Sequence, residues 1–345
     1  MAGMTHSFYP WLAPSWKQLV RGWERLPHAL LITGEPGIGK RRLAEFLAQY
    51  LLCEARKPDH TPCGECDGCR WFLAGNHPDF RLLTPEDQSD AGEGEEAKTK
   101  RKLPLIKVEG IRELVDFVNL TPHRGGSKVV LVEPAEAMNT SAANAFLKML
   151  EEPPQGVTFI LVSHHWRRLL PTIRSRCRVF PVPTPAAAVA ADWLAGHGVV
   201  NPVQHLAHTG GAPLAALDDA RAEWLPLRTA FLGHIANPAA LDVLGVAAEL
   251  EKAKLDTGLV VDWLQKWVHD LIALGLSGRI RYYPDWRDDL ARLASRAGNL
   301  LGFLDGLKES RRLAHHPLNQ RLVFESLLFG YLEALRGKPR GTGHG

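Results

Sequence analysis

A glycine-rich loop near the amino terminus separates a short apolar run from a segment with helical periodicity. The run at 29–33 predicts a buried strand, and apolar residues recur at helical spacing from Leu43 to Leu51. Glycines in such a loop let successive backbone N–H groups converge on phosphate oxygens, and a lysine at its end reaches the outer phosphates. The pattern G-x-x-G-x-G-K supplies four candidate nucleotide-binding residues: Gly34, Gly37, Gly39 and Lys40. The segment predicts a nucleotide loop or a vestige of one, and the sequence leaves open whether ATP or ADP binds there.

Two substitutions affect the parts of this loop that hydrolysis requires. Arg41 follows the lysine, where a serine or threonine hydroxyl normally binds Mg²⁺, and a guanidinium offers no oxygen ligand. The neighbouring strand predicted at 128–132 is followed by Glu133, a candidate metal carboxylate, and by Pro134, which has no side-chain base to polarise water. Glu136 lies two residues further, and both glutamates could instead be solvated carboxylates at a strand end. We predict that the chain does not hydrolyse ATP by itself, whereas binding without turnover needs neither missing part.

The predicted secondary structure of the chain changes near its middle. Short apolar strands alternate with helical patterns as far as about residue 180, which is typical of a parallel sheet covered by helices. One of these helical patterns follows Thr140 and Ser141, which are candidate caps. After the proline-rich stretch 181–185 only helical spacing is found. The sequence predicts an α/β domain at 1–183, a small helical domain at 184–217, an all-α domain at 218–336 and a disordered tail at 337–345.

Segment 86–102 interrupts the first domain. It carries six acidic side chains followed by four basic ones, and nothing apolar larger than alanine. Such a segment cannot bury enough surface to order itself. It predicts a mobile inserted loop, and a charged docking segment for a partner is the alternative.

The composition excludes several classes of protein. Lys and Arg total 41 and Asp and Glu total 38, and a net charge of +3 is too small to indicate nucleic-acid binding by the overall field. No apolar stretch approaches the roughly 20 residues of a membrane helix. Residues 1–16 lack the basic start and apolar run of a secretory signal. We expect a cytoplasmic protein with no membrane partner.

Four of the five cysteines lie close together, and the fifth, Cys177, stands alone. The four follow the pattern C-x9-C-x2-C-x2-C within 53–69: Cys53, Cys63, Cys66 and Cys69. Four thiolates at about 2.3 Å from one ion complete a tetrahedron without an open position, so the pattern predicts a structural zinc (Zn²⁺) site. An iron–sulfur cluster is one alternative, although a ferredoxin-type run would continue with a further cysteine and a proline, and free buried thiols are the other. His60 is a candidate substitute ligand or an ordinary loop residue.

Several further motifs carry a resemblance to a known family. Three arginines lie within five residues directly before the last predicted strand, and they include Ser-Arg-Cys at 175–177. By themselves they could form a solvated basic face or a contact with a phosphate backbone. The other motifs are Leu-Lys-Met-Leu-Glu-Glu-Pro-Pro at 147–154, Leu-Thr-Pro-His-Arg-Gly-Gly at 120–126 and the helical segment at 319–328. Together with the glycine loop and the cysteine module, they resemble the delta prime subunits of the bacterial DNA polymerase III clamp loader over nearly the whole chain.

The resemblance implies an architecture, a role and a set of partners. It implies an AAA+ ATPase-like P-loop domain with a zinc module, a small helical lid and an all-α collar that holds a five-membered ring together. In that family the arginine of Ser-Arg-Cys projects into the ATP site of an adjacent subunit, so Arg176 is implied to act in trans as an arginine finger. The implied partners are gamma/tau-type ATPase subunits and a delta-type subunit in a hetero-pentameric ring. The sliding clamp and primed DNA would be reached through this assembly, as part of a DNA-directed DNA polymerase holoenzyme.

This chain departs from some members of the family, because it keeps a fuller glycine loop with Lys40. Two other functions stay open. An autonomous AAA+ ATPase would be established by steady ATP turnover of the purified chain, against which Arg41 and Pro134 argue. A zinc-dependent nucleic-acid-binding module is the third reading, although the cysteine segment lacks a dense basic and aromatic surround.

Overall fold

The computed structural model describes residues 8–22, 26–85, 105–123, 126–295, 298–313 and 319–336. The chain divides into two compact units, the first reaching residue 190 and the second beginning at residue 191. The predicted mobile loop at 86–102 and the predicted tail at 337–345 lie outside the described residues.

Five parallel strands form the sheet of the first unit, in the spatial order β2-β3-β4-β1-β5. The strands are β1 (Ala29–Thr33), β2 (Phe80–Leu83), β3 (Lys128–Val132), β4 (Val157–Ser163) and β5 (Arg178–Pro181). Every residue of β1 and β3 is buried, as expected for apolar runs in the middle of a parallel sheet. Thr33 at the end of β1 pairs with Ser163 at the end of β4, so the carboxyl ends of neighbouring strands meet at one edge. Ligands of open α/β sheets bind at this edge.

Helices cover the sheet. They are α1 (Ala13–Val20), α2 (Lys40–Leu52), α3 (Asp67–Leu73), α4 (Val108–Asn119), α5 (Thr140–Glu151) and α6 (Pro171–Arg176). Phe146 of α5 packs edge to face on Phe159 of β4, with ring centroids 5.4 Å apart. The predicted cap of α5 was one residue wrong: Asn139 is the N-cap, because its side chain accepts a hydrogen bond from the Ala142 N–H at 2.8 Å.

The second unit is built from helices. After α7 (Ala187–Gly196), which spans the division between the units, they are α8 (Pro202–His208), α9 (Pro213–Ala220), α10 (Leu225–Ala236), α11 (Val243–Lys252), α12 (Thr257–Ser277), α13 (Arg287–Ala294), α14 (Leu300–Leu313) and α15 (Gln320–Arg336). Trp263 and Trp267 of α12 are fully buried in its core. The indole N–H of Trp267 donates to the Tyr331 hydroxyl at 2.9 Å, and that hydroxyl donates to the carbonyl of Ile235 at 3.0 Å.

The predicted fold class is confirmed: an α/β domain with a parallel sheet and a cysteine cluster, followed by a helical part. The boundaries at 183/184 and 217/218 stay predictions. None of the helices in the described part of the chain combines the length and apolar content that crossing a bilayer requires.

Candidate functional site

The glycine loop follows β1 and leads into α2 at the carboxyl edge of the sheet. Its three glycines adopt φ angles of 150°, 75° and 88° at Gly34, Gly37 and Gly39. A Cβ atom at Gly34 would lie 2.6 Å from the carbonyl oxygen of Val182, so only glycine fits there. Lys40 is buried, and its Nζ donates a hydrogen bond to the Glu35 carbonyl at 2.6 Å. The structure thus brings the four predicted residues together, and nucleotide binding by them stays a prediction.

Aromatic residues before α1 contact the glycine loop. The Trp11 indole donates to the carbonyl of Ile38 at 2.9 Å, and the Trp11 ring stacks on Tyr9 with centroids 5.0 Å apart. A Cβ atom at Gly39 would come within 2.8 Å of the Tyr9 ring. Sequence reasoning missed this contact, because nothing in the local pattern of these residues points to a loop later in the chain.

At the predicted metal position, Arg41 pairs with acidic side chains. Its Nε lies 2.8 Å from Glu45 Oε1 and 3.3 Å from Glu133 Oε2. Glu133 is buried, and burial raises its pKa to about 7 although Arg41 opposes the shift. The candidate metal carboxylate therefore already faces a permanent cation. The residues present do not fit a Mg²⁺ ion, since a guanidinium repels it and supplies no ligand oxygen.

Glu136, which follows β3 in the chain, forms hydrogen bonds at the end of β4. Its Oε1 accepts hydrogen bonds from the backbone N–H groups of His164 and His165, each at 2.9 Å. Burial alone would raise the pKa of Glu136, but the Ser163 hydroxyl and these amides outweigh burial and lower it. Glu136 is thus a structural carboxylate rather than an ordinary solvated one, which the sequence pattern could not distinguish.

The four clustered cysteines converge at the far end of α2. All four sulfur atoms lie within 4.8 Å of one another, with Cys53 Sγ 4.0 Å from Cys66 Sγ and Cys63 Sγ 3.8 Å from Cys69 Sγ. Sulfurs at about 2.3 Å from one tetrahedral ion are about 3.8 Å apart, so the spacing fits zinc. The cluster confirms that these four residues come together and could bind a metal.

The local backbone favours this arrangement of the four cysteines. The N–H groups of Glu65 and Cys66 approach Cys63 Sγ at 3.4 and 3.3 Å. Burial would raise the pKa of the Cys63 thiol, but these amides and neighbouring sulfurs lower it to about 6. Gly68 lets α3 approach α2, because a Cβ atom there would lie 2.5 Å from the Leu52 carbonyl. His60 is outside the cluster and lies 3.2 Å from the Tyr50 hydroxyl through Nδ1, which favours its interpretation as a loop residue.

A second polar cluster lies inside the helical unit. His205, His208 and Asp219 are buried with their ligand atoms within 4.8 Å of one another, a spacing that a metal could use. Arg228, however, donates to Asp219 and also to His208 Nδ1 at 2.7 Å. Because the Arg228 guanidinium already binds these acceptor atoms, the arrangement is a buried ion-pair network rather than a metal site.

The predicted arginine finger stands at the carboxyl end of α6. Arg176 Nη2 lies 2.7 Å from Glu151 Oε1, and its Nη1 donates to the Thr172 carbonyl at 3.1 Å. The side chains of Arg176 and Glu151 are 35% and 49% exposed. The next residue, Cys177, is buried in the core of the first unit. The neighbouring Arg174 lies over the Trp166 ring, 5.2 Å from its centroid.

Comparison with known proteins places these features in a family. A family model described as DNA polymerase III, delta subunit, matches residues 15–186. The chain is 37% identical over 340 residues to DNA polymerase III subunit delta' of Pseudomonas aeruginosa, covering 93% of this chain and 96% of that protein. It is 39% identical over 215 residues to the delta' subunit of Escherichia coli, covering 61% and 60%. A shorter match to subunit tau of Escherichia coli, 36% identical, covers 45% of this chain and 22% of tau.

The agreement with the Pseudomonas aeruginosa protein extends over both the sheet unit and the helical unit. It is strong enough, at this identity and coverage, to establish descent from a common delta prime ancestor. This chain therefore belongs to the family of DNA polymerase III delta prime subunits.

Proposed function

We propose that this chain is a clamp-loader subunit that does not hydrolyse ATP itself and supplies Arg176 in trans to a neighbouring ATPase subunit. In this role it helps to load the sliding clamp on primed DNA during replication in the cytoplasm. Its family and the likeness of 45% of the chain to tau support the clamp-loader role.

The arrangement around Arg41 carries the proposal that the chain cannot turn ATP over. Hydrolysis needs Mg²⁺ on the phosphates and a side chain that positions the attacking water. Arg41 is ion-paired with Glu133, and Pro134 stands where the second acidic residue would be. Both requirements are therefore absent from the described site at the same time.

The position of Arg176 supports its trans role. The residue ends a short helix, is partly exposed, and its acidic partner Glu151 is still more exposed. Such a pair competes weakly with a triphosphate, because a half-exposed ion pair contributes only about 0–1 kcal/mol. A planar, permanently charged guanidinium is suited to neutralise charge developing on a γ-phosphate.

The remaining parts of the chain receive supporting roles in this proposal. Residues 184–217 act as a lid, and residues 218–336 form the collar that joins gamma/tau-type and delta-type subunits in a hetero-pentameric ring. The cysteine cluster holds one structural zinc ion, which ties the end of α2 to α3. Because four thiolates fill a tetrahedral shell, the ion has no open position for chemistry.

ATP turnover tests the proposal directly. The purified chain is expected to show no turnover above background. Adding it to gamma/tau-type and delta-type subunits, with sliding clamp and primed DNA, is expected to produce a stable assembly and to raise ATP turnover and clamp loading. Steady turnover by the chain alone would replace the proposal with an autonomous ATPase. Strong, salt-sensitive DNA binding by the chain alone, without any effect on the assembly, would favour a zinc-dependent nucleic-acid-binding module instead.

A further inference from the structure

The glycine loop keeps the features that bind phosphate even though the metal position is altered. Gly34 and Gly39 cannot carry a side chain without contacts of 2.6 and 2.8 Å, so the loop conformation depends on them. Gly39, the N-cap of α2, makes no side-chain cap to the amides of the first turn. A phosphate group at the start of a helix is stabilised by such amides and by the helix dipole.

Lys40 strengthens the case for an anionic ligand. Its side chain is buried, and its Nζ donates a hydrogen bond to an uncharged carbonyl, that of Glu35. Burial lowers its pKa to about 8, although Glu136 and Glu133 act in the opposite direction. A buried ammonium is costly without a close counter-charge, and a polyphosphate would provide one.

Arg41 lies beside the carboxylate that binds a metal ion in other sites of this type. Mg²⁺ there neutralises the phosphates and binds the carboxylate after the neighbouring strand. Here the carboxylate, Glu133, has Arg41 Nε at 3.3 Å, and the Arg41 side chain is half exposed. The Nε atom of Arg41 is the one that lies near both Glu45 and Glu133. The guanidinium has four N–H donors besides the one on Nε. These donors suit phosphate oxygens, which arginine binds through paired hydrogen bonds.

We propose that the glycine loop binds a nucleoside di- or triphosphate without Mg²⁺, with the Arg41 guanidinium taking the place of the metal. The inference concerns the chain's own loop and is independent of the trans role of Arg176. It predicts that the loop keeps a bound nucleotide without hydrolysing it.

Binding of ADP and ATP to the full chain tests the inference, measured by calorimetry in excess Mg²⁺ and again in EDTA. The wild-type dissociation constants are expected to agree within about twofold, because no step of binding uses the metal. Arg41→Ser removes the guanidinium and introduces the hydroxyl that normally binds Mg²⁺. In EDTA this variant should bind at least about tenfold more weakly, and Mg²⁺ should restore part of the loss.

Two further variants make the result specific. Arg42→Ser is the matched control, since Arg42 carries the same charge one residue along and lies 3.7 Å from Glu45, and it should keep metal-independent binding. Lys40→Ala should lose binding under both conditions, with circular dichroism showing that the chain is folded. The inference is overturned by wild-type binding that requires Mg²⁺, by unchanged binding of Arg41→Ser in EDTA, or by a folded wild-type chain that binds neither nucleotide. Each of these outcomes leaves the test of Arg176 untouched.

Discussion

The carboxylate of Glu151 at the end of α5 holds the guanidinium of Arg176 at the end of α6, 2.7 Å away. The two helices pack against each other in the first unit, so the ion pair sets the direction of Arg176 before any neighbour arrives. Because both side chains are partly exposed, the pair can open at small cost. The proposed arginine finger is therefore oriented by its own chain and still available to another.

Replacing Arg176 by alanine should leave folding and assembly intact but impair ATP hydrolysis in the assembly. Arginine fingers contribute about 10³–10⁵ in rate, so the one site that receives Arg176 should become nearly inactive. Total ATP turnover of the assembly should fall by the fraction that this site contributes, and clamp loading should fall with it. DNA-stimulated ATPase measurements would show this. Arg168→Ala, which removes an exposed arginine nearby, serves as the control. Unchanged activity of the Arg176→Ala assembly would refute the trans role.

Removing the partner of the finger should hardly affect stability. Glu151→Gln breaks an ion pair that is half exposed, so the free energy of unfolding should change by no more than about 1 kcal/mol. A double-mutant cycle with Arg176→Ala, followed by urea denaturation, measures the coupling between the two side chains. A coupling of several kcal/mol would mean that Arg176 is locked to Glu151 and is not free to serve a neighbour.

The cysteine cluster should contain close to one zinc ion per chain. Cys66→Ser removes one of four ligands and should lower the metal content and the thermal midpoint together. Cys177→Ala is the matched control, since Cys177 is buried elsewhere in the core and should leave the metal content unchanged. Metal analysis and the visible spectrum distinguish the possibilities. A brown protein with iron and sulfide would show an iron–sulfur cluster instead.

Glu133 should make stability depend on pH near neutrality. Burial raises its pKa from 4.5 to about 7, so between these values the folded chain holds a proton that the unfolded chain has released. The free energy of unfolding therefore falls as pH rises through this window, by on the order of 3 kcal/mol. Glu133→Gln resembles the protonated form. It should equal wild type near pH 5 and exceed it in stability near pH 8.

The control for Glu133 is a carboxylate whose pKa moves the other way. Glu136 has a lowered pKa, so its charged form stabilises the fold above the unfolded value and this contribution is lost in acid. Glu136→Gln should therefore be less stable than wild type near pH 8. Equal pH profiles for the two variants would show that the environments of the two carboxylates are not as described.

Arg228 should be essential to the stability of the helical unit. Burial alone would raise the pKa of Asp219, but His208 and Arg228 hold it well below its usual range, so Asp219 stays charged inside the protein. Arg228→Met would leave this buried charge without its permanent counter-charge, at a cost of about 3–5 kcal/mol. Adding Asp219→Asn should recover part of the loss, which denaturation of both variants can measure. If the loss of stability in the double variant equals the sum of the losses in the two single variants, the pairing of Arg228 with Asp219 is contradicted.

The local sequence determined most of the first unit. Buried runs of apolar residues specify strands over a few positions, so β1 and β3 were predicted to the residue. The loop from Gly34 to Lys40 and the four cysteines were likewise predictable, since short fixed spacings reflect the geometry of phosphate and zinc binding. The N-cap of α5 was misplaced because Thr140, Ser141 and Asn139 are all good caps, and only the backbone decides among them.

Only the tertiary structure decided which side chains from distant positions meet. That Arg41 faces Glu133, that Tyr9 contacts Gly39, and that Glu136 binds the end of β4 all depend on the order of the strands, which brings separate segments to one edge of the sheet. The network of Arg228 and Asp219 likewise depends on helix packing. Short-range patterns record the geometry of a single turn or strand, whereas charge pairing between segments arises only once the chain has closed around its core.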